Sequence, residues 1–178
     1  MSDGYDEDLR RWEEASGPPR KALDGRALLR PISVLPYPRS PVAVAPSDPV
    51  GAALETMSSR NLGAVLVVEG GKVVGIFSER DALRKGLFAG GKGGRPVREF
   101  MTRDPDCLTP DDSIALALNR MGVGGYRHVP LVDAQKRPVG LLVMRDAVRY
   151  VLGYFPKEVL NVPPHSEHAP PERSTEGG

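Results

Sequence analysis

The chain says one thing twice. Gly75–Asp81 reads GIFSERD and Gly140–Asp146 reads GLLVMRD, and in each copy the glycine lies six positions before a terminal Arg-Asp. Such repetition constrains the fold more than any local propensity, because each copy must build the same supersecondary unit. The copies extend upstream. Val50, Ala53, Leu54 and Met57 return 64 positions later as Ile114, Ala117, Leu118 and Met121. Both sets run i, i+3, i+4, i+7, the spacing of one apolar face on an amphipathic helix. Asp48 and Asp112 are the expected N-caps, and Pro49 suits a first helical position.

After each helix comes a strand-like run, Val65–Val68 in one copy and Val129–Val132 in the other. A polar turn follows (Glu69–Lys72 or Asp133–Arg137), and then a second strand, Val73–Phe77 or Val139–Val143. The second turn is one residue longer, which moves the offset from 64 to 65. Two such strands around a short turn read as a β-hairpin. Each copy is therefore strand, helix, strand, strand, helix, and the fold class is mixed α/β (α+β) with two β-α-β-β-α repeats. One copy spans about 50–60 residues, near the lower limit for an independent core, so the two are expected to pack on each other.

The expected organisation is a polar N-terminal segment (1–30), a first repeat (31–90), a Gly-rich linker (91–95), a second repeat (96–156) and a disordered Pro-rich tail (157–178). Leu9–Ala15 reads either as a short helix docked through Trp12 or as a solvated tail. The 178 residues carry a formal net charge of +1, which offers no argument for nucleic acid or an acidic partner. The single cysteine, Cys107, excludes an intrachain disulfide and the Cys-rich zinc sites. His165 and His168 sit in the tail without further ligands, so no metal is expected. The start of the chain lacks the basic and apolar regions of a signal peptide, and no apolar run approaches the roughly 18–20 residues of a membrane span. A cytoplasmic protein without membrane contact is expected. Gly86, Gly91 and Lys92 match the first part of a P-loop, but Gly93 replaces its Ser or Thr and the run follows a helix, which marks it as a linker.

With these residues in place, the chain resembles the cystathionine-β-synthase (CBS) domain family, as a tandem pair or Bateman module. The resemblance covers about residues 31–156 and rests on the doubled element order, GIFSERD, GLLVMRD, and GYRHVPLVD at Gly125–Asp133. It implies two units joined face to face through their sheets, with two related clefts between them. It also implies a stand-alone regulatory protein, not an enzyme, that requires no cofactor. The implied ligand is an adenine nucleotide (AMP, ADP or ATP) ahead of S-adenosylmethionine. A homodimer and an unknown regulated protein are the implied partners, and the faces around Met57, Met121 and Leu118 are expected to be partly uncovered until such a dimer forms.

The resemblance assigns ribose recognition to Asp81 and Asp146. It assigns phosphate binding to the Ser78 hydroxyl beside free N–H groups at a helix start. Val143 replaces that serine in the second copy, so the first cleft is expected to bind more tightly. Arg127 and His128 align with Gly63 and Ala64 and hold positions that reach a phosphate in similar proteins. Arg80 and Arg145 are further phosphate candidates. Val42, Val44, Ala64 and Val65 would line one adenine slot, and Cys107, Tyr126 and Val129 the other. Each assignment has a plain counterpart. Ser78-x-x-Asp81 is also a capping arrangement, the arginines also suit a solvated helix face, His128 also suits a half-buried site, and the slot residues are also ordinary core. A ligand-free dimerisation module is one alternative function. Single-stranded nucleic-acid binding through Tyr126, Arg127 and His128 is another, and the near-zero net charge argues against it.

Overall fold

The computed structural model describes residues 25–35, 41–87 and 91–154. The Leu9–Ala15 helix, Trp12, His165 and His168 lie outside the described residues. One compact unit spans 24–151. Residues 1–23 and 152–178 group as a second unit, in which only Leu152–Tyr154 are described.

The two valine-rich runs form strands and fold back as hairpins. β1 is Ala43–Val44, β2 Ala64–Glu69, β3 Lys72–Ser78, β4 Thr102–Arg103, β5 His128–Val132 and β6 Pro138–Val143. β2 and β3 pair antiparallel from Ala64↔Ser78 to Glu69↔Lys72. The two residues between them, Gly70 and Gly71, have φ of 55° and 76°, the left-handed conformation that a two-residue hairpin turn requires. The β5–β6 turn is longer and is held by Asp133, whose Oδ1 accepts from the Gln135 and Arg137 N–H groups, each at 2.9 Å. A register shift falls between Val67 and Val68 in one hairpin and between Leu131 and Val132 in the other, so the repeats share a bulge as well as an order.

The first sheet runs β1-β2-β3-β4, and β5-β6 form the second. Leu108 takes the place of β1 in the second repeat through a parallel bridge to Leu131. The helices are α1 Gly25–Leu28, α2 Val50–Ser59, α3 Glu79–Arg84, α4 Ile114–Gly124 and α5 Met144–Leu152. Alternation along the strands divides their side chains between two faces. Val65, Val67 and Phe77 join Val50, Ala53, Met57 and Ala82 in the first core. Val129, Leu131 and Leu142 join Ile114, Ala117, Met121 and Ala147 in the second. The intervening residues Ala64, Leu66, Val73 and Ile76 meet Val132 and Leu141 in a third cluster between the sheets. Burial on both faces explains why these strands read as continuous apolar runs.

Each core is completed by chain from across the repeat boundary. Ile32 and Leu35 open the first repeat and are buried in the second core. Val97 and Phe100 follow the linker and are buried in the first. The backbone repeats the exchange. Ile32 N–H donates to Asp112 O at 2.8 Å and Val97 N–H to Asp48 O at 2.9 Å, while Ile114 N–H donates to Arg30 O at 2.9 Å and Val50 N–H to Arg95 O at 2.8 Å.

Two expectations are corrected. Asp48 and Asp112 are not the N-caps. Pro49 caps α2 without a side-chain bond, and Ser113 caps α4 by accepting from Leu116 N–H. The two aspartates instead close the preceding turns, each accepting at 2.7 Å from the N–H three residues upstream, Ala45 or Thr109. The Gly-rich linker is bonded in place. Gly93 O and Arg95 O accept the first N–H groups of α2, and Lys92 Nζ donates to Lys85 O and Gly86 O beyond the end of α3, an end that favours a cation. Finally, Met57 and Met121 are only 2 % and 1 % exposed, because each packs inside one of the two cores.

Residues 31–95 produced alone lack Val97 and Phe100, so that fragment is expected to show no cooperative thermal transition by circular dichroism. In the full chain Phe100→Ala is expected to cost about 3–5 kcal/mol in denaturant unfolding.

Candidate functional site

β3 ends at Ser78, where the chain turns into α3. Ser78 Oγ accepts from Asp81 N–H at 3.3 Å, and Asp81 Oδ2 accepts from Ser78 N–H at 2.9 Å, a complete capping box. Oδ2 also accepts from Ser78 Oγ at 2.6 Å, and Oδ1 accepts from Thr102 Oγ1 at 3.3 Å. Glu79 N–H donates to Gly63 O at 3.1 Å, which fixes the helix start against the loop before β2. The equivalent bond in the second repeat runs from Met144 N–H to Arg127 O at 2.8 Å.

The second repeat brings the end of α4 opposite this helix start. Gly125 takes the left-handed conformation (φ 65°) that closes α4, and its N–H donates to Met121 O. The Arg80 guanidinium crosses from α3 and donates to the Gly125 carbonyl, where the negative end of the α4 dipole favours a cation. Tyr126 follows with its ring packed over Gly124, where a Cβ would fall 2.1 Å from the ring. The Tyr126 hydroxyl donates to Asp106 Oδ2 at 2.7 Å, and Arg120 lies 3.4 Å from the same oxygen.

Between these elements lies a cavity of about 330 Å³, lined by both repeats and by the Thr102–Asp106 segment that joins them. It brings together Ser78, Arg80, Asp81, Tyr126, Arg127 and His128, six of the residues singled out from the sequence. Ala64 and Val65 lie elsewhere, buried in β2. Arg145 and Asp146 stand at the start of α5 and do not line this cavity, nor do Val42, Val44, Cys107 or Val129. Residues 36–40, which correspond to the stretch leading into Thr102–Asp106, lie outside the described residues. Glu79, Arg84, Thr102, Asp104 and Asp106 line the cavity unforeseen. Glu79 lies in the GIFSERD motif and Arg84 on the helix it opens, while Thr102, Asp104 and Asp106 form a short polar run whose counterparts 64 positions earlier are polar only at Arg39 and Ser40.

The electrostatics of the cavity are mixed. Among the described residues, the Arg84 and Arg127 guanidinium groups have no hydrogen bond or ion pair. Burial holds the His128 imidazole below its ordinary pKa, and the Arg127 and Arg80 charges reinforce this. Burial and the bond to Asp106 push the Tyr126 hydroxyl up to about 12, so it is a donor at neutral pH. At α5, burial raises the Asp146 carboxyl even though Arg145, Arg149 and the bond from Val143 N–H favour its charged form. The described residues hold no group of three or more His, Cys, Asp or Glu arranged for a metal, and no helix among them is long and apolar enough to cross a membrane.

A duplicated β-α-β-β-α unit whose copies exchange segments and enclose a charged cleft defines a tandem-repeat module. The family model for the CBS domain matches residues 36–87 and 97–153, and the chain belongs to that family. It is 31 % identical over 110 residues to an uncharacterised 17.7 kDa protein of Acidianus ambivalens, covering 61 % of this chain and 66 % of that one. It spans 15 % and 36 % of two further curated relatives. Among solved structures, a CBS-domain protein from Agrobacterium tumefaciens is 29 % identical with a TM-score of 0.58, covering 62 % of this chain and 89 % of that one. The structure of CBSX2 in complex with AMP is similar in fold, at 24 % identity and a TM-score of 0.59, over 69 % of this chain and 96 % of that one.

Asp81→Ala removes the acceptor of three hydrogen bonds at the α3 start. It is expected to lower the stability of the ligand-free protein by about 1–2 kcal/mol in denaturant unfolding, with Asp81→Asn less damaging.

Proposed function

We propose that this chain is a regulatory module that binds an adenine nucleotide in the cleft between its repeats and passes that state to a partner protein. The observation that carries the reading is the convergence of three guanidinium groups, Arg80, Arg84 and Arg127, with an aromatic ring and a helix start in one inter-repeat cavity. Guanidinium forks match phosphate oxygens. Tyr126, held by Asp106, offers a face on which a base can stack. The Asp81 and Asp104 carboxylates are acceptors for ribose hydroxyls. The AMP bound to CBSX2, a protein of the same fold, supports the choice of ligand class.

The role is regulatory because residues of both repeats line the cleft, so a bound ligand contacts both at once. A ligand that binds one relative arrangement of the repeats better than another shifts their populations, and the Arg80–Gly125 contact is the link a ligand would perturb. A second copy of the chain is a proposed partner, for which the exposed Leu83 and Val123 supply apolar contact groups. A second reading, a ligand-free interaction module, draws on the complete capping box, which already engages Ser78 and Asp81 Oδ2, and on Thr102, whose hydroxyl donates to Asp81 Oδ1.

Isothermal titration separates the two readings. AMP or ATP is expected to bind the wild type, and Arg127→Ala is expected to weaken AMP about ten- to a hundred-fold, the loss of about 1.5–3 kcal/mol from a charge-assisted bond, with little effect on adenosine. No heat with AMP, ADP, ATP or S-adenosylmethionine would establish the ligand-free reading.

A further inference from the structure

His128 is a titratable group in the cleft that the proposed function leaves without a role. It begins β5, is half-buried, and lines the cavity. Its ring lies against Gly63, where a Cβ would come within 2.9 Å of Nε2, so the backbone of the first repeat fixes a side chain of the second. Among the described residues neither ring nitrogen has a hydrogen-bond partner, although no buried side-chain nitrogen or oxygen is left unsatisfied. The ring therefore keeps its hydrogen-bonding capacity for whatever fills the cavity.

The charges around the ring come from every element packed on it. Arg127 adjoins it in the chain, and Arg80 and Glu79 approach from the start of α3, with Glu79 Oε2 3.8 Å from a Cβ built at Gly63. Val143, its partner in β6, carries no charge. Arg84, Asp81, Asp104, Asp106 and Tyr126 complete the lining. Burial, with the two nearby guanidinium groups, holds the imidazole below its ordinary pKa and so favours its neutral form. A phosphate placed between Arg80 and Arg127 reverses that balance. It offsets the two like charges that oppose protonation, and it offers an acceptor to a second ring N–H.

We propose that a phosphate-bearing ligand enters this cleft together with a proton, which His128 takes from solvent onto its free ring nitrogen. The inference rests on the nucleotide reading above. It makes the site sensitive to two inputs, because affinity for the anion rises as pH falls through the range where a histidine titrates, around 6.5. Folding without ligand has the opposite dependence. Its His128 binds a proton less readily than in the unfolded chain, so folding stability is lost as pH falls through about 6.5.

The test is calorimetry of AMP binding at pH 7.0 in two buffers of different ionisation enthalpy, with wild-type protein and His128→Gln. The nucleotide phosphate titrates in both proteins and cancels in the difference. Wild type is expected to take up a measurable fraction of one proton more than the variant with AMP, and no more with adenosine. Proton NMR of the wild type supplies a readout independent of that substitution. The chain has three histidines, and His165→Gln/His168→Gln identifies the His128 ring signal, whose titration is expected to move to higher pH when AMP is bound. Equal proton uptake by both proteins, an unmoved ring titration with AMP bound, or the same excess uptake with adenosine would each overturn the inference and leave the nucleotide reading intact. Failure of AMP to bind wild type would overturn both.

Discussion

The two halves of this protein depend on an exchange of short segments. Ile32 and Leu35 close a core built by residues 108–147, and Val97 and Phe100 close a core built by residues 50–87. Each of these side chains is at least 95 % buried. Full burial of one such side chain stabilises by about 1.5–3 kcal/mol, so the four together are comparable with the whole stability of a typical domain, about 5–15 kcal/mol. The paired backbone bonds at Ile32 and Val97, and at Ile114 and Val50, place the exchange on both sides of the same pseudo-symmetric arrangement. The cleft depends on it as well. Thr102–Asp106 reaches the cavity because the segment leading into the second repeat first adds β4 to the sheet of the first.

This exchange was the part of the fold least legible in the sequence. Apolar periodicity identified α2 and α4 by their buried faces, and the duplicated valine runs located both hairpins within a residue or two of where they lie. The run Ala64–Val67 is buried throughout, but an apolar run in the sequence carries no information about what covers it. Caps were misplaced for a local reason. Asp48 and Asp112 have the right chemistry for an N-cap but lie where their carboxylates meet an N–H three residues upstream, a competing local bond, and Ser113 is left to cap α4. Six candidate residues reached the cavity because the motifs that contain them sit at the ends of β3 and α4, which duplication placed face to face. Thr102, Asp104 and Asp106 were invisible because they precede the periodic helix by which the two copies were matched.

The copies have diverged in chemistry more than in shape. The bulge after Val67 and that after Leu131 coincide, as do the bonds from Glu79 N–H and Met144 N–H. Yet Ser78 faces Val143 across the alignment, and Gly63 and Ala64 face Arg127 and His128. These differences concentrate charge at one cleft. They also set Gly63 against the His128 ring, where any larger residue at 63 would have to displace it. Asp146, at the diverged helix start, is 9 % exposed and keeps its bond to the Val143 backbone.

The exchange also sets an order on assembly as the chain emerges from the ribosome, amino end first. Ile32 and Leu35 appear early, but their neighbours Leu131, Leu142 and Ala147 lie about a hundred residues later in the chain. Val50 through Leu87 can collect sooner, but that cluster stays open until Val97 and Phe100 arrive. Two apolar side chains near the start of the chain must therefore wait, unburied, for nearly all of the second repeat to be made. The first half to be synthesised is the first to close, and its opening segment is among the last pieces to find its place.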